Sequence, residues 1–240
     1  KGDDDLAIAD YSQAIRLDPN FALAYFGRGT TYFIKRDNDL AIADYNQSIR
    51  LDPNVAAVYF GRGAIYAGKR EYDKAIADYN QVIRLTPNFA EAYIDRGAAY
   101  HSKGEYDRAI ADFNQAIRLD PNNAAAYSNR GAAYTYKRDY DRAIADCNQA
   151  IRLNPNYAVA YNNRGTAYTY KRDYVRAIAD LNQAIRLNPD YVAAYYNRGR
   201  AYYNKEDYAL ARADFEKALS LDPNNANAQE WLERLRSEGH

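Results

Sequence analysis

Six arginines recur at a constant interval of 34 residues: Arg28, Arg62, Arg96, Arg130, Arg164 and Arg198. A row of guanidinium groups is suited to phosphate or carboxylate, which it grips through paired N–H donors. An acid recurs as faithfully 16 residues after each base, at Asp44, Asp78, Asp112, Asp146, Asp180 and Asp214, with Asp10 one interval earlier. The matched rows favour a different reading, a structural ladder of Arg–Asp pairs between packed helices. A partly buried pair of this kind secures register more reliably than it adds stability.

Few other side chains offer chemistry. His101 is the one histidine inside the repeated region, and His240 is the last residue. Cys147, the single cysteine, stands where other units carry Tyr45, Tyr79, Phe113, Leu181 and Phe215, so packing explains it better than nucleophilic work. No spacing of His, Cys, Asp and Glu suits a metal. The glycines of "GRGT" and "GRGA" fall inside a helical pattern rather than in a phosphate-binding loop. The acidic run Asp3, Asp4 and Asp5 reads as a helix start, and the "NQS" at Asn46 sits mid-helix, where glycosylation is not expected. The sequence predicts no enzyme activity, no metal and no cofactor.

The net charge of zero supplies no electrostatic reason to expect nucleic acid or an anionic membrane as partner. No stretch is apolar enough to insert into a bilayer. One cysteine rules out an internal disulfide framework and favours a reducing compartment such as the cytoplasm. The chain starts at Lys1, contains no methionine and begins partway through a repeat, which reads as a fragment.

The elements that must position these residues follow from the seven prolines, Pro19, Pro53, Pro87, Pro121, Pro155, Pro189 and Pro223, again 34 apart. With proline as position 32, full units run over 22–55, 56–89, 90–123, 124–157, 158–191 and 192–225. Residues 1–21 form the second half of an earlier unit and 226–240 a closing helix, all within one solenoid over 1–240. In the unit 124–157, Tyr127, Gly131 and Tyr134 fall at i, i+4 and i+7, and Ala143, Cys147 and Ala150 repeat that spacing after a short "KRD" turn. Each triplet is one stripe of a helix. Asn or Asp after each proline is placed to cap the following helix, and Asp139 and Asp173 to cap the second helices. A helix-interior glycine costs about 1 kcal/mol relative to alanine, so its recurrence from Gly29 to Gly199 needs a packing reason. Small residues on the facing helix, Ala41 to Ala211 at the same interval, supply one and make each pair an antiparallel hairpin. The 26 tyrosines provide apolar volume with the hydroxyl kept near an edge.

Period, Tyr at positions 4 and 11, Gly at 8, Ala at 20 and usually 27, and Pro at 32 resemble the tetratricopeptide repeat family over essentially the whole chain. The resemblance implies an all-α, right-handed superhelix of helix pairs, with first helices lining a concave groove and second helices forming the convex outside. It also implies a scaffold that holds a peptide or another protein. The chain departs from the family at position 7, where the family usually has Leu and this sequence has the arginine row. At 100° per residue that position lies about 60° from the glycine stripe, on a flank rather than on the groove floor.

The candidate groove positions are 2, 5, 6, 9, 12 and 13, and there the units differ. Early units are bland or apolar, with Leu23, Phe26, Gly27, Phe33 and Ile34, then Ala57, Phe60, Gly61 and Gly68. Later ones are polar and aromatic, with Asn129, Asn162, Asn163, Asn197, Thr135, Thr169, Tyr136, Tyr170, Tyr196 and Tyr203. Asn129, Asn163 and Asn197 occupy position 6 of three successive units. An amide both donates and accepts, so such a row can pair with a peptide backbone of any sequence. It resembles the asparagine ladder of the O-GlcNAc transferase superhelix; solvated, tolerated asparagine is the alternative. The carboxylate clamp of chaperone-binding members needs basic groove residues, and only Arg200 qualifies. Glu91 and Asp95 favour a basic ligand group instead, and His101 is a further candidate groove residue on the same helix.

These readings predict a non-catalytic scaffold for an extended peptide or partner protein. The alternatives are a structural module that assembles through its ends and convex face, and RNA binding, which would need the arginines to face the groove. Trp231, Leu232 and Leu235 give the last helix one apolar side, as in a capping helix. Residues 1–21 supply only a second helix, so Leu6, Ala7, Tyr11, Ala14 and Ile15 are expected to present an open face that favours self-association through the N-terminal end.

Overall fold

Each proline ends one helix and prepares the next. The residue before it is driven into extended backbone, as at Asp52 (φ −139°, ψ 101°) before Pro53. The Asp52 side chain then accepts the backbone N–H of Asn54, and the chain turns into the following helix. The computed structural model describes residues 2–240; Lys1, first residue of the expected leading half-repeat, lies outside them.

The fold is all-α, with fourteen helices and no strand among the described residues, which form two compact units divided between Leu119 and Asp120. The first unit holds α1 (Gly2–Leu17), α2 (Ala22–Ile34), α3 (Asn38–Leu51), α4 (Ala56–Gly68), α5 (Tyr72–Leu85), α6 (Ala90–Ser102) and α7 (Tyr106–Leu119). The second holds α8 (Ala124–Tyr136), α9 (Tyr140–Leu153), α10 (Ala158–Tyr170), α11 (Tyr174–Leu187), α12 (Val192–Asn204), α13 (Tyr208–Leu221) and α14 (Ala226–Ser237). In both, first and second helices pack as consecutive pairs, and each pair packs on its neighbour within the unit.

The turn inside each pair is a Schellman closure. In the first, the Asp37 N–H reaches back to the Tyr32 carbonyl across Arg36, whose φ of 66° is left-handed. Arg70, Arg138, Arg172 and Glu206 adopt the same backbone, and one unit uses the residue best suited to it, Gly104.

Two local expectations are corrected. The residue after proline is not the cap of the next helix. The N-cap falls one residue later, on Phe21, Val55, Phe89, Asn123, Tyr157, Tyr191 and Asn225, and only Asn123 and Asn225 cap with their side chains. Asp139 and Asp173 do cap α9 and α11, accepting from Arg142 and Arg176. Second, four helix-interior glycines, Gly29, Gly63, Gly97 and Gly199, face an aromatic ring at position 24 rather than the alanine of position 20. At Gly131 and Gly165 a β-carbon would also lie 3.0–3.1 Å from the Ala143 and Ala177 carbonyl oxygens, the close approach expected. A β-carbon at Gly97 would sit 2.7 Å from the Phe113 ring, so the glycine makes room for a buried aromatic rather than for contact between two small residues.

At the far end, Leu232 and Leu235 of α14 are buried on α13, and the Trp231 ring stacks 5.6 Å from Phe215. On α1 no residue is fully buried, and Leu6 is 65% exposed.

Candidate functional site

Every arginine of the row lies beside the aspartate 16 residues on, in its own repeat. In the first unit Arg28 meets Asp44 with both nitrogen–oxygen distances at 2.8 Å, and Arg62 and Arg96 meet Asp78 and Asp112 at 2.6–2.8 Å. In the second unit Arg130, Arg164 and Arg198 grip Asp146, Asp180 and Asp214 in the same fork. The third guanidinium nitrogen reaches the preceding repeat: Arg96 donates to Asn80, Arg164 to Asn148 and Arg198 to Asn182, each at 2.6 Å. Tyrosine rings flank each cation, as Tyr93 and Tyr100 do around Arg96 at 5.6 and 6.0 Å. These guanidinium groups spend their donors inside the protein, and the geometry ties a helix pair to the pair before it.

In the first unit the first helices leave an open, largely apolar cleft of about 480 Å³. Phe26, Thr30 and Phe33 of α2 form one wall, and Ala57, Phe60 and Gly61 of α4 the other, with Val82 and Phe89 closing it. These are the groove positions expected from the repeat. The Tyr45 hydroxyl also enters it from α3, bonding Thr30 at 3.3 Å, because Gly61 offers no β-carbon: one placed there would lie 2.9 Å from that oxygen. The Phe60 ring is 5.1 Å from Phe89, edge to face, and 5.9 Å from Tyr79.

Beyond that last contact lies a second cleft of about 360 Å³, lined by Ala64 and Ala67 of α4, Tyr72 and Tyr79 of α5, and Asp95, Ala98 and Ser102 of α6. Asp95 is half-buried there, and burial, with Glu91 one turn away, pushes its carboxyl up to about 6. Glu91 itself is exposed. His101 is half-buried with its ring edge-on to Tyr106 at 5.3 Å, and burial holds its pKa below the usual histidine range.

In the second unit three of the four predicted asparagines, Asn162, Asn163 and Asn197, join a hydrogen-bonded chain. Asn197 donates to Asn162 at 2.9 Å, Asn162 donates to Asn163 at 3.3 Å, and Asn163 donates to the Ser128 hydroxyl at 3.0 Å. Asn162 is buried, while Asn129 is half-buried on α8. Tyr136 and Tyr170 are exposed, and Tyr170 stacks on Tyr140 at 6.1 Å and accepts a hydrogen bond from Arg200 at 3.2 Å. The Arg200 cation also lies 5.1 Å from the Tyr170 ring and 5.8 Å from Tyr196. Tyr196 accepts from the Trp231 indole, and Tyr203 meets that ring at 4.7 Å and donates to Glu238. Cys147 is fully buried, and burial pushes its thiol up to about 12, which leaves no nucleophile at neutral pH.

Sequence reasoning missed Val82, which closes the cleft, and three further contributors. Tyr45 reaches the groove from a second helix; the signal was Gly61 opposite a tyrosine 16 residues earlier. Phe89 joins the cleft as an N-cap residue, with no periodic signal to mark it. Ser128 is the acceptor for Asn163, and its small side chain at position 5 gave no hint.

A family model described as TPR repeat matches residues 1–35, 29–69, 69–104 and 97–137. Models described as tetratricopeptide repeat match 124–157, 147–179 and 166–236. No curated protein matches. Among solved structures, a tetratricopeptide repeat protein from Parabacteroides merdae superposes with a TM-score of 0.83 at 22% identity, over 98% of this chain and 93% of that one. The APC/C hetero-tetramer Cut9–Hcn1 superposes with a TM-score of 0.80 at 22% identity over 98% of this chain, which spans only 46% of that chain. YrrB, a TPR protein with an unusual peptide-binding site, superposes with a TM-score of 0.52 at 22% identity over 79% of this chain and 97% of its own.

Proposed function

We propose that this chain, which belongs to the tetratricopeptide repeat family, is a non-catalytic scaffold that holds an extended peptide, or an extended segment of a partner protein, on the groove face of its first helices. The observation that carries the reading is the open apolar cleft on α2 and α4, where Phe33 is exposed and Phe26 and Phe60, though packed on the core, stay partly exposed to the cleft. Apolar walls with a few placed polar groups are the usual makeup of a ligand cleft. Thr30, half-buried on the α2 wall, is such a group here. In the second unit, Asn197 spends one of its two N–H donors on Asn162 and keeps capacity for a peptide backbone. A peptide-binding site in YrrB, which shares the fold, agrees with this reading. Engagement of every row arginine by aspartate weighs against phosphate, and so against RNA.

The test is selection of a random peptide display library against the whole chain and against Ala57→Trp, which places an indole in the cleft from an exposed position. Enrichment by the wild type that Ala57→Trp removes, with helix content unchanged, supports the reading. No enrichment contradicts it, as does enrichment unaffected by both Ala57→Trp and the pair Asn163→Ala with Asn197→Ala.

A further inference from the structure

The two clefts of the first unit differ in chemistry and adjoin. One is apolar and walled by phenylalanines; the other is built of alanines and tyrosines around one carboxylate. Phe60 of the one meets Tyr79 of the other, ring centroids 5.9 Å apart, and Phe60 and Ala64, one helical turn apart on α4, belong one to each.

Asp95 is an acid without a cation. Among the described residues no Lys, Arg or His pairs with it, and the charge that acts on its carboxyl is Glu91 of its own helix, which repels it. The other titratable groups lining its cleft are the phenols of Tyr72 and Tyr79 on α5, while α4 contributes only alanines. The protein elsewhere gives its buried acids partners: Asp78 and Asp112, in the same unit, each hold an arginine. A half-buried carboxylate left unpaired costs stability and gains most from a cation supplied from outside.

We propose that the groove of the first unit selects peptides carrying a bulky apolar side chain followed or preceded, a few residues away, by lysine or arginine. This rests on the peptide-binding reading above and names what the peptide must contain. The apolar side chain fills the space between Phe26, Phe33 and Phe60, and the base enters the neighbouring cleft to pair with Asp95, with Glu91 adding attraction at its rim. Adjacent packed helices stand about 8–10 Å apart, which an extended chain crosses in about three residues. The chemistry is opposite in sign to an acidic-tail clamp, which needs groove lysines or arginines that this unit lacks.

The peptides recovered in the display selection decide the point when sequenced at pH 7.5 and low salt. Wild type should enrich a bulky apolar residue with Lys or Arg two to four positions away. Asp95→Asn, nearly isosteric and expected to fold, should keep the apolar preference and lower the preference for a base by about tenfold, a loss of one partly buried ion pair. Selection with the wild type at 1 M salt should weaken the base preference in the same direction, without any substitution. Peptides enriched without a base, or a base preference unchanged in Asp95→Asn, would overturn this inference and leave peptide binding standing. Failure to enrich any peptide would overturn both.

Discussion

Arg62 and Asp78 stand face to face across the α4–α5 pair, the guanidinium Nε and Nη2 at 2.8 and 2.6 Å from the two carboxylate oxygens. Asp78 is nearly buried, and the remaining Arg62 nitrogen crosses to Asn46 of the preceding repeat. Removing one partner leaves the other charge unpaired in a largely buried site. Asp78→Ala is therefore expected to cost about 3–5 kcal/mol, whereas Asp78→Ala combined with Arg62→Leu should cost less than Asp78→Ala alone. Urea unfolding of the two variants and the wild type measures both. A double variant less stable than the single one would show that the pair contributes net stability rather than register.

Asp95 makes the protein more stable in acid than its composition suggests. Its folded carboxyl sits at about 6, raised by burial and then by Glu91, above the ordinary aspartate value. An acid with a raised folded pKa contributes stability that is fully present below its unfolded pKa and is lost as pH rises through the folded one. Between about pH 4 and 6, then, this group alone lowers stability as pH increases. Asp95→Asn should raise unfolding free energy by on the order of 1 kcal/mol at pH 7.5, after discounting for the group's partial solvation, and should give no gain at pH 4. Paired denaturation curves at the two pH values check the sign.

Along the turn edge, lysines that precede a left-handed residue pair with the acid 30 residues earlier: Lys35 with Asp5, Lys69 with Asp39 at 2.8 Å, and Lys103 with Asp73 and Lys171 with Asp141 at 2.5 Å. The series breaks at Val175, which is 73% exposed, and Lys205 turns to Asp207 instead. Val175→Asp restores the acid and places it in the first turn of α11, where negative charge is favoured. A gain of about 0.5 kcal/mol is expected, falling at high salt, as suits an exposed pair. Thermal unfolding at two salt concentrations reads it.

Cys147 should behave as a buried hydrophobe. With its thiol fully enclosed and pushed up to about 12, it should resist alkylation under native conditions and react only as the protein opens. Labelling at a rate independent of denaturant, in the range below unfolding, would contradict that burial.

What the sequence made legible is what the repeat imposes. The helix pairs, the turn at "KRD" and the Arg–Asp fork all recur at one interval, so six copies point to one answer. The groove was half legible. Phe26 and Phe60 stood out because they occupy groove positions and vary between units, but the Tyr45 hydroxyl was hidden by its place on a second helix, among residues that read as core. Asn163 and Asn197 were legible as a row and not as a hydrogen-bonded chain, because their acceptors, Ser128 and Asn162, lie in the preceding repeat. The capping residue was misplaced by one position because Asn after proline has the right chemistry for a cap, whereas the Asx turn before it delays the helix start to Phe21 and its counterparts.

Photocrosslinking from Phe33 tests most directly whether the groove face holds the ligand. A p-benzoylphenylalanine in place of Phe33, an exposed aromatic already on the wall of the apolar cleft, and another at Ala77, exposed on α5, would each be irradiated with a peptide recovered from the wild-type selection. Adduct formation at position 33 and none at 77, competed away by unlabelled peptide, is the predicted result. Equal adducts at both positions, or adducts at 77 alone, would contradict binding in the groove.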